Sequence, residues 1–189
     1  MERVTAVPGS TYFYYPRLVC VVGVLDGDNE TCNFAPVAWA TPLSSAPPLY
    51  GVCLSPRTYT HKLVLKAGEF TVNFMAHDDT ELVAAMGKLS GRTTDKVKAL
   101  GLELDPPDAL RTPTLARAYA SAECLLVARH QLGDQTLFAG EVHSIRHRPD
   151  AFDEAGVLRI QSIGPLLYLG AGRYLSGNPA TVITPARQA

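Results

Sequence analysis

Residues 119–146 read YASAECLLVARHQLGDQTLFAGEVHSIR. Segments 119–129 and 135–146 are long, lack the apolar spacing of a helix and are joined by Leu132-Gly133-Asp134, so the stretch predicts a long β-hairpin. Working outward, residues 19–25 and 30–35 flank Asp26-Gly27-Asp28-Asn29, whose Asp-Gly and Asn supply the positive φ angles of a tight reversal and predict a second hairpin. Residues 49–54 form a short apolar strand between Pro48 and Pro56. Phe70, Val72 and Phe74 alternate with Thr71 and Asn73 in the period of a half-buried strand. Residues 58–67 carry Leu63 and Val64 and stop at Gly68, which predicts a short helix. Residues 79–89 place Leu82, Met86 and Leu89 on one helical face, with Asp78, Asp79 and Glu81 at the positive end of the helix dipole. Residues 94–100 predict another helix, and residues 102–114, rich in Asp and Pro, a loop over the surface. Six or more strands with few helices predict a mainly β protein with minor α content, closed into a barrel. Strands and helices do not alternate regularly and no G-x-G-x-x-G occurs, which disfavours a doubly wound parallel sheet.

The 189 residues suit a single domain spanning 1–189, and the hydrophobic fraction of 47% is enough to fill its core. A formal net charge of -1 gives no electrostatic pull toward nucleic acid or an acidic membrane surface, so no nucleic-acid or membrane partner is expected. The longest apolar run, residues 18–25, is far shorter than the roughly 20 residues of a membrane span and reads as a buried strand. The N-terminus lacks the charged and apolar blocks of a signal peptide, which places the protein in the cytoplasm. Cys20, Cys32, Cys53 and Cys124 are isolated, without C-x-x-C spacing, and read as small core side chains rather than metal ligands.

Chemistry concentrates in Ser55-Pro56-Arg57-Thr58-Tyr59-Thr60-His61-Lys62, which puts hydroxyls, a guanidinium, an imidazole and an ammonium between a strand and a helix start. Free N–H groups at a helix N-terminus favour an anion, Arg57 adds a bidentate contact and Lys62 a point charge, so a phosphate suits the segment. The same residues also read as a simple helix cap with solvated charges, and composition alone leaves both readings open. Upstream, residues 33–44 mix small side chains with one Trp and two prolines in an extended run, which lets a flat ligand approach the backbone.

The chain resembles the FMN-binding split-barrel proteins, which include the flavoredoxins and flavin reductase-like proteins. The matching motifs are Tyr14-Tyr15-Pro16, Asn33-x-Ala35-Pro36-x-Ala38-Trp39-x-Thr41, Pro47-Pro48-Leu49-x-Gly51, Ser55-Pro56-Arg57-x-x-Thr60-His61, Gly68-Glu69-Phe70-x-x-Asn73, Ser90-Gly91-Arg92-x-x-Asp95-Lys96 and Leu137-Phe138-x-Gly140-Glu141-Val142. The resemblance covers nearly the whole chain. It implies a homodimer of six-stranded antiparallel barrels with FMN near the subunit interface and its phosphate on Ser55, Arg57, Thr60, His61 and Lys62. It also implies that the flavin ring lies along Ala38, Trp39, Ala40 and Thr41, with the Thr41 hydroxyl toward its N5 and O4 edge.

Four further assignments carry a second reading each. Asn33 supports the ribityl chain or bonds the local backbone; Trp39 lies by the ring or, as favoured, fills the core beside it. Ser90 and Arg92 approach the flavin or end a helix, and Tyr174 covers the pocket or sits on a surface strand. The implied activity is an oxidoreductase that passes a hydride from NAD(P)H to FMN and electrons onward, with the flavin rather than a side chain carrying the chemistry. The alternatives are a flavoredoxin-like carrier reduced by a partner protein, and a split-barrel binding protein without redox use. Many relatives have Gly-Asp-His in the long hairpin where this chain has Gly133-Asp134-Gln135, and glutamine does not exchange a proton near neutral pH.

Overall fold

The computed structural model describes residues 3–9, 12–28 and 31–185. Strands β1 (Arg17–Leu18), β2 (Cys20–Asp26), β3 (Thr31–Val37), β4 (Ala40–Ser45) and β5 (Pro48–Leu54) lead into helix α1 (Tyr59–Ala67). Next come β6 (Glu69–Phe74), α2 (Thr80–Lys88), α3 (Lys96–Leu100), β7 (Leu104–Asp105) and β8 (Thr114–Leu115). The long hairpin β9 (Ala120–Leu132) and β10 (Gln135–His147) follows, then β11 (Leu167–Gly170) and β12 (Arg173–Leu175). Asn29 and Glu30, at the tip of the first predicted hairpin, lie outside the described residues.

This is the expected mainly β architecture with a few short helices. The main antiparallel sheet runs β3-β2-β6-β9-β10-β5-β4, with β1, β11 and β12 in a second small sheet. It has seven strands, one more than expected, because the extended run 33–44 bends at Ala38 and Trp39 and continues as a separate strand. β3 and β4 occupy the two edges and no ladder joins them, so the sheet is open rather than closed. It curls until β3 approaches β5, and Val37, Val52, Phe70, Cys124 and Phe138 share one interior cluster.

The apolar run of residues 18–25 follows from the two faces of β2. Cys20, Val22 and Val24 face the interior cluster, while Val19 and Val21 join Phe34, Met75, Val83 and Met86 in a second cluster under α2 and α3. A strand buried on both sides reads as continuous rather than alternating hydrophobicity. β6 departs from the half-buried expectation for the same reason. Phe70 and Val72 fill the interior, but Thr71 and Asn73 are also fully buried. Asn73 offsets its burial by donating to the Val21 carbonyl at 3.0 Å and accepting from the Leu115 N–H at 2.8 Å.

Segment 102–114 covers this polar face instead of merely crossing the surface. The buried Glu123 carboxylate accepts from the N–H groups of Asp108, Ala109 and Leu110 at 2.6, 3.0 and 2.7 Å. Glu69, also buried, accepts from the Arg111 N–H at 3.0 Å and the Thr112 hydroxyl at 2.9 Å. Among the described residues no helix is long and apolar enough to cross a membrane.

Candidate functional site

The site begins at the turn between β5 and α1. The Ser55 carbonyl accepts from the Thr58 N–H at 2.9 Å and the Thr58 hydroxyl at 2.8 Å, which closes the turn. Thr58 then caps α1, its hydroxyl accepting from the His61 N–H at 3.3 Å. At the other end Gly68, at φ 68, ends the helix in the left-handed conformation.

A second turn faces the first. After α2 the Ser90 carbonyl accepts from the N–H groups of Thr93 and Thr94, and the Ser90 hydroxyl from the Arg92 N–H at 3.3 Å. Between the two turns lies a cleft of about 610 Å³ floored by Asn33, Ala35 and Pro36 of β3. Its charged lining is Arg57, Lys88, Arg92 and Lys96, with no aspartate or glutamate among the described residues, so the lining is suited to an anion. The Arg92 guanidinium lies 5.9 Å from the centre of the Tyr59 ring, whose hydroxyl donates to Asp26 at 2.7 Å.

Two buried groups mark the floor. Asn33 is 3% exposed; one end of its amide bonds the Thr60 hydroxyl at 2.9 Å, and the other end has no hydrogen-bond partner among the described residues. Gly91 passes so close that a Cβ there would overlap the Asn33 amide and sit 3.3 Å from the Tyr59 ring. Lys96 is 4% exposed and donates to the carbonyls of Phe34 and Met86, both at 2.8 Å. Burial pulls its pKa down to about 8.

The cleft continues into less polar space. Pro36 also lines a cavity of about 230 Å³ with Val19, Val37, Ala38, Tyr168 and Tyr174. Gly87, Lys88 and Tyr174 also border a third groove against α2, a polar one with His77, Asp78 and Glu81 in its lining. Tyr168 and Tyr174 pack with ring centres 5.1 Å apart, and the Tyr168 hydroxyl accepts from the Gly172 N–H. A cationic end with free donors thus adjoins a walled aromatic end. That is the polarity of a phosphorylated, flat, ring-bearing ligand.

Of the sequence-predicted residues, the structure brings Asn33, Arg57, Thr60, Ser90 and Arg92 together in the cleft. Ala38 and Tyr174 share the adjoining cavity. Ser55 shapes the turn, and Lys62 is exposed and does not line the cleft. His61 points the other way: its Nε2 lies 2.9 Å from the Thr136 hydroxyl, which in turn donates to Gln131, and its ring packs edge-on against Phe138. One residue along a helix turns a side chain by about 100°, so Thr60 and His61 cannot both face one cleft.

Trp39 does not fill the core. It is 39% exposed, donates from Nε1 to the Tyr15 hydroxyl at 3.0 Å and packs edge-on to Tyr14. Ala40 packs on the interior cluster, and the exposed Thr41 hydroxyl donates to the Pro42 carbonyl at 3.4 Å. The cap reading of residues 55–62 holds for Thr58, whereas the sequence reading missed Gly87, Lys88 and Lys96. The signal for Lys96 was its place at the end of the motif that contains Ser90 and Arg92, although the motif assigns it no role.

Comparison with known proteins places this architecture. An FMN-binding protein from Thermus thermophilus, solved with bound 1-cyclohex-2-enone, is 36% identical and superposes with a TM-score of 0.85, covering 98% of each chain. Flavoredoxin of Desulfovibrio vulgaris, 24% identical with a TM-score of 0.85 over 98% of this chain and 99% of that one, shares the fold. A flavin reductase (NADH) of Kitasatospora aureofaciens is 31% identical over 136 residues, 71% of this chain and 68% of that protein. The model of the flavin reductase like domain matches residues 12–176, and the chain belongs to that family.

Proposed function

We propose that the protein is a single-domain, FMN-binding oxidoreductase of the flavin reductase type, with NAD(P)H as electron donor and free flavin or another molecule as acceptor. The observation that carries the reading is the cleft itself: among the described residues, four cations and no carboxylate beside a capped helix N-terminus, continuous with an aromatic-walled cavity. A phosphate fits the first part and a flat ring the second. The names of the Thermus and Kitasatospora relatives support FMN and NADH respectively.

Arg57 and Arg92, with Thr58 and Ser90, are assigned to the phosphate, and Asn33 with Thr60 to the hydroxylated chain. Ala38, Trp39, Ala40 and Thr41 are assigned to one edge of the ring and Tyr174 to its cover. Bound FMN would supply the two-electron chemistry, and the chain supplies position and electrostatics. No side chain of the cleft is cast as nucleophile or general base. We place the working form in the cytoplasm as a homodimer with the flavin near its interface; the exposed apolar Trp39, Leu43 and Leu125 suit a contact between copies.

Anaerobic mixing of the FMN-loaded protein with NADH and with NADPH tests the activity: loss of the flavin's visible absorbance is expected, and its persistence with both donors refutes the hydride step. One observation favours a second reading, a flavoredoxin-like carrier. Residue 135 is a glutamine, where the resemblance to the family leads one to expect histidine, and among the described residues the cleft lining contains no imidazole. Rapid reduction by a protein donor with inertness toward nicotinamides selects the carrier. A protein that ignores added FMN in a thermal-shift assay refutes both.

A further inference from the structure

A cavity of about 610 Å³ opens between the end of β6, the start of β9, the end of β10 and the loop 152–158, and it shares no lining residue with the cleft or the cavity assigned to the flavin. The rings of Phe74, Tyr119, Phe152 and His147 wall it in a chain, with successive centres 6.2, 6.4 and 5.1 Å apart. The loop that closes it is held by its own bonds. Asp153 Oδ1 accepts from the N–H groups of Ala155 and Val157 at 3.0 and 2.9 Å, and Phe152 and Leu158 face each other across an antiparallel bridge. The free polar groups of the lining are acceptors. His147 Nδ1 lies 2.9 Å from the Arg148 carbonyl, so in the neutral ring Nδ1 carries the proton and Nε2 is left to accept. Tyr119 is 4% exposed, and no hydrogen bond engages its hydroxyl among the described residues. Asp153 and Glu154 carry the only formal charges in the lining, with no lysine or arginine among the described residues there. Four arginines lie in the neighbouring chain: Arg146 pairs with Asp108, Arg148 pairs with Asp150, Arg159 also acts on Asp150, and Arg17 of β1 acts on Tyr50 and Cys53. The charge that an occupant touches is therefore negative.

We propose that this cavity is a second binding site, for an aromatic ammonium ion: a flat ring on a short chain that ends in a protonated amine. The volume is that of a small-molecule site, and the four aromatic side chains take the ring. The ammonium lies against ring faces and donates to the Tyr119 oxygen, His147 Nε2 and the carboxylates of the rim. The selection is the reverse of that in the cationic cleft. Flavin and nicotinamide nucleotides are anions, and the same rim turns them away. The proposal does not depend on the flavin reading.

The test is calorimetric titration of the whole chain, with and without FMN, by three molecules that share an indole ring: tryptamine, a cation; tryptophol, uncharged; and indole-3-acetate, an anion. Tryptamine is expected to bind about three- to tenfold more tightly than tryptophol, and indole-3-acetate more weakly than either. Added FMN is expected to leave tryptamine affinity within about twofold, since the two sites share no residue. Asp153→Asn keeps a side-chain oxygen for the loop N–H groups, and Glu154→Gln changes an exposed residue. Together they are expected to lower tryptamine affinity to that of tryptophol and to leave tryptophol unchanged. Tyr119→Phe keeps the ring and is expected to weaken tryptamine about three- to tenfold by loss of one acceptor. Equal affinities for the three molecules, tryptamine affinity untouched in both variants, or competition by FMN overturns the proposal. Failure of the wild-type protein to take up tryptamine overturns it too. If Ile145→Glu, at an exposed residue of the rim, then also lowers the mass in solution, the cavity belongs to a contact between two copies of the chain.

Discussion

Replacing Gly91 with alanine tests the floor of the cleft at one methyl group. The backbone at Gly91 is not in the left-handed region, so alanine meets no conformational barrier, and the cost comes from space alone. The added Cβ would overlap the Asn33 amide oxygen and lie 2.8 Å from its Cγ and 3.3 Å from the Tyr59 ring. Asn33 is buried and tied to Thr60, so relief means rotating the amide and losing that bond. Overpacking of this kind costs about 1–3 kcal/mol, which for a chain of this size lowers Tm by roughly 2–12 °C. If the unpaired end of the Asn33 amide serves the ligand, its displacement removes one hydrogen bond, and FMN affinity falls about tenfold. A double-mutant cycle isolates the cause. In the Asn33→Ala background the space beside Gly91 is open, so Gly91→Ala is expected to cost little there in either Tm or affinity. Calorimetric melts and fluorescence titration of the four proteins give both quantities. Equal losses in the two backgrounds, or a Gly91→Ala protein indistinguishable from wild type, refute the reasoning.

Two more predictions concern the frame around the cleft. Glu123→Ala leaves three N–H groups of residues 108–110 without their acceptor and is expected to destabilise the fold by about 2–4 kcal/mol, with proteolysis concentrated in segment 102–114; an unchanged Tm and cleavage pattern contradict it. His61 is held below its ordinary value of 6.5, first by burial and then by the Arg129 charge, so the fold favours its neutral form. Its contribution to stability is complete above about pH 6.5 and is lost as pH falls below that toward the folded-state value, and His61→Gln should flatten this part of the Tm profile. Parallel profiles for the two proteins rule the idea out.

The strands were legible where one residue pattern had one cause. The hairpin of β9 and β10 announced itself by length and by its Gly-Asp junction, and β2 by its unbroken apolar run, because burial on both faces leaves no polar positions to alternate. Thr71 and Asn73 misled for the converse reason. Their polarity suggests solvent, but they face segment 102–114, whose own backbone donors and acceptors need partners, and only the tertiary fold shows that the two requirements meet. At the site, the anion-binding character of residues 55–62 was readable from composition, and the direction of each side chain was not. His61 and Thr60 look equivalent in the sequence, and helix geometry, about 100° per residue, points them in different directions. Lys96 was hidden by the ordinary expectation that a lysine is exposed; its burial depends on two carbonyls contributed by β3 and α2.

The two ends of the groove differ in how firmly they are built, and this bears on what the family can vary. Several residues of the cationic end are tied down: Thr58 to the turn before α1, Thr60 to Asn33 of β3, and Lys96 to both β3 and α2. Donors fixed in this way are oriented before a ligand arrives, so little ordering entropy opposes binding. At the other end, Trp39 and Thr41 are exposed on an edge strand, and Tyr168 and Tyr174 belong to a small sheet separate from the main one. Edge and appended elements tolerate change, since few other contacts depend on them. A firmly built cationic end and a ring end on which few other contacts depend suit a fold that hosts more than one function. On the proposed function, affinity for FMN then resides mainly in the cationic cleft. On the same proposal, the choice of donor and acceptor is left to the less firmly held ring end.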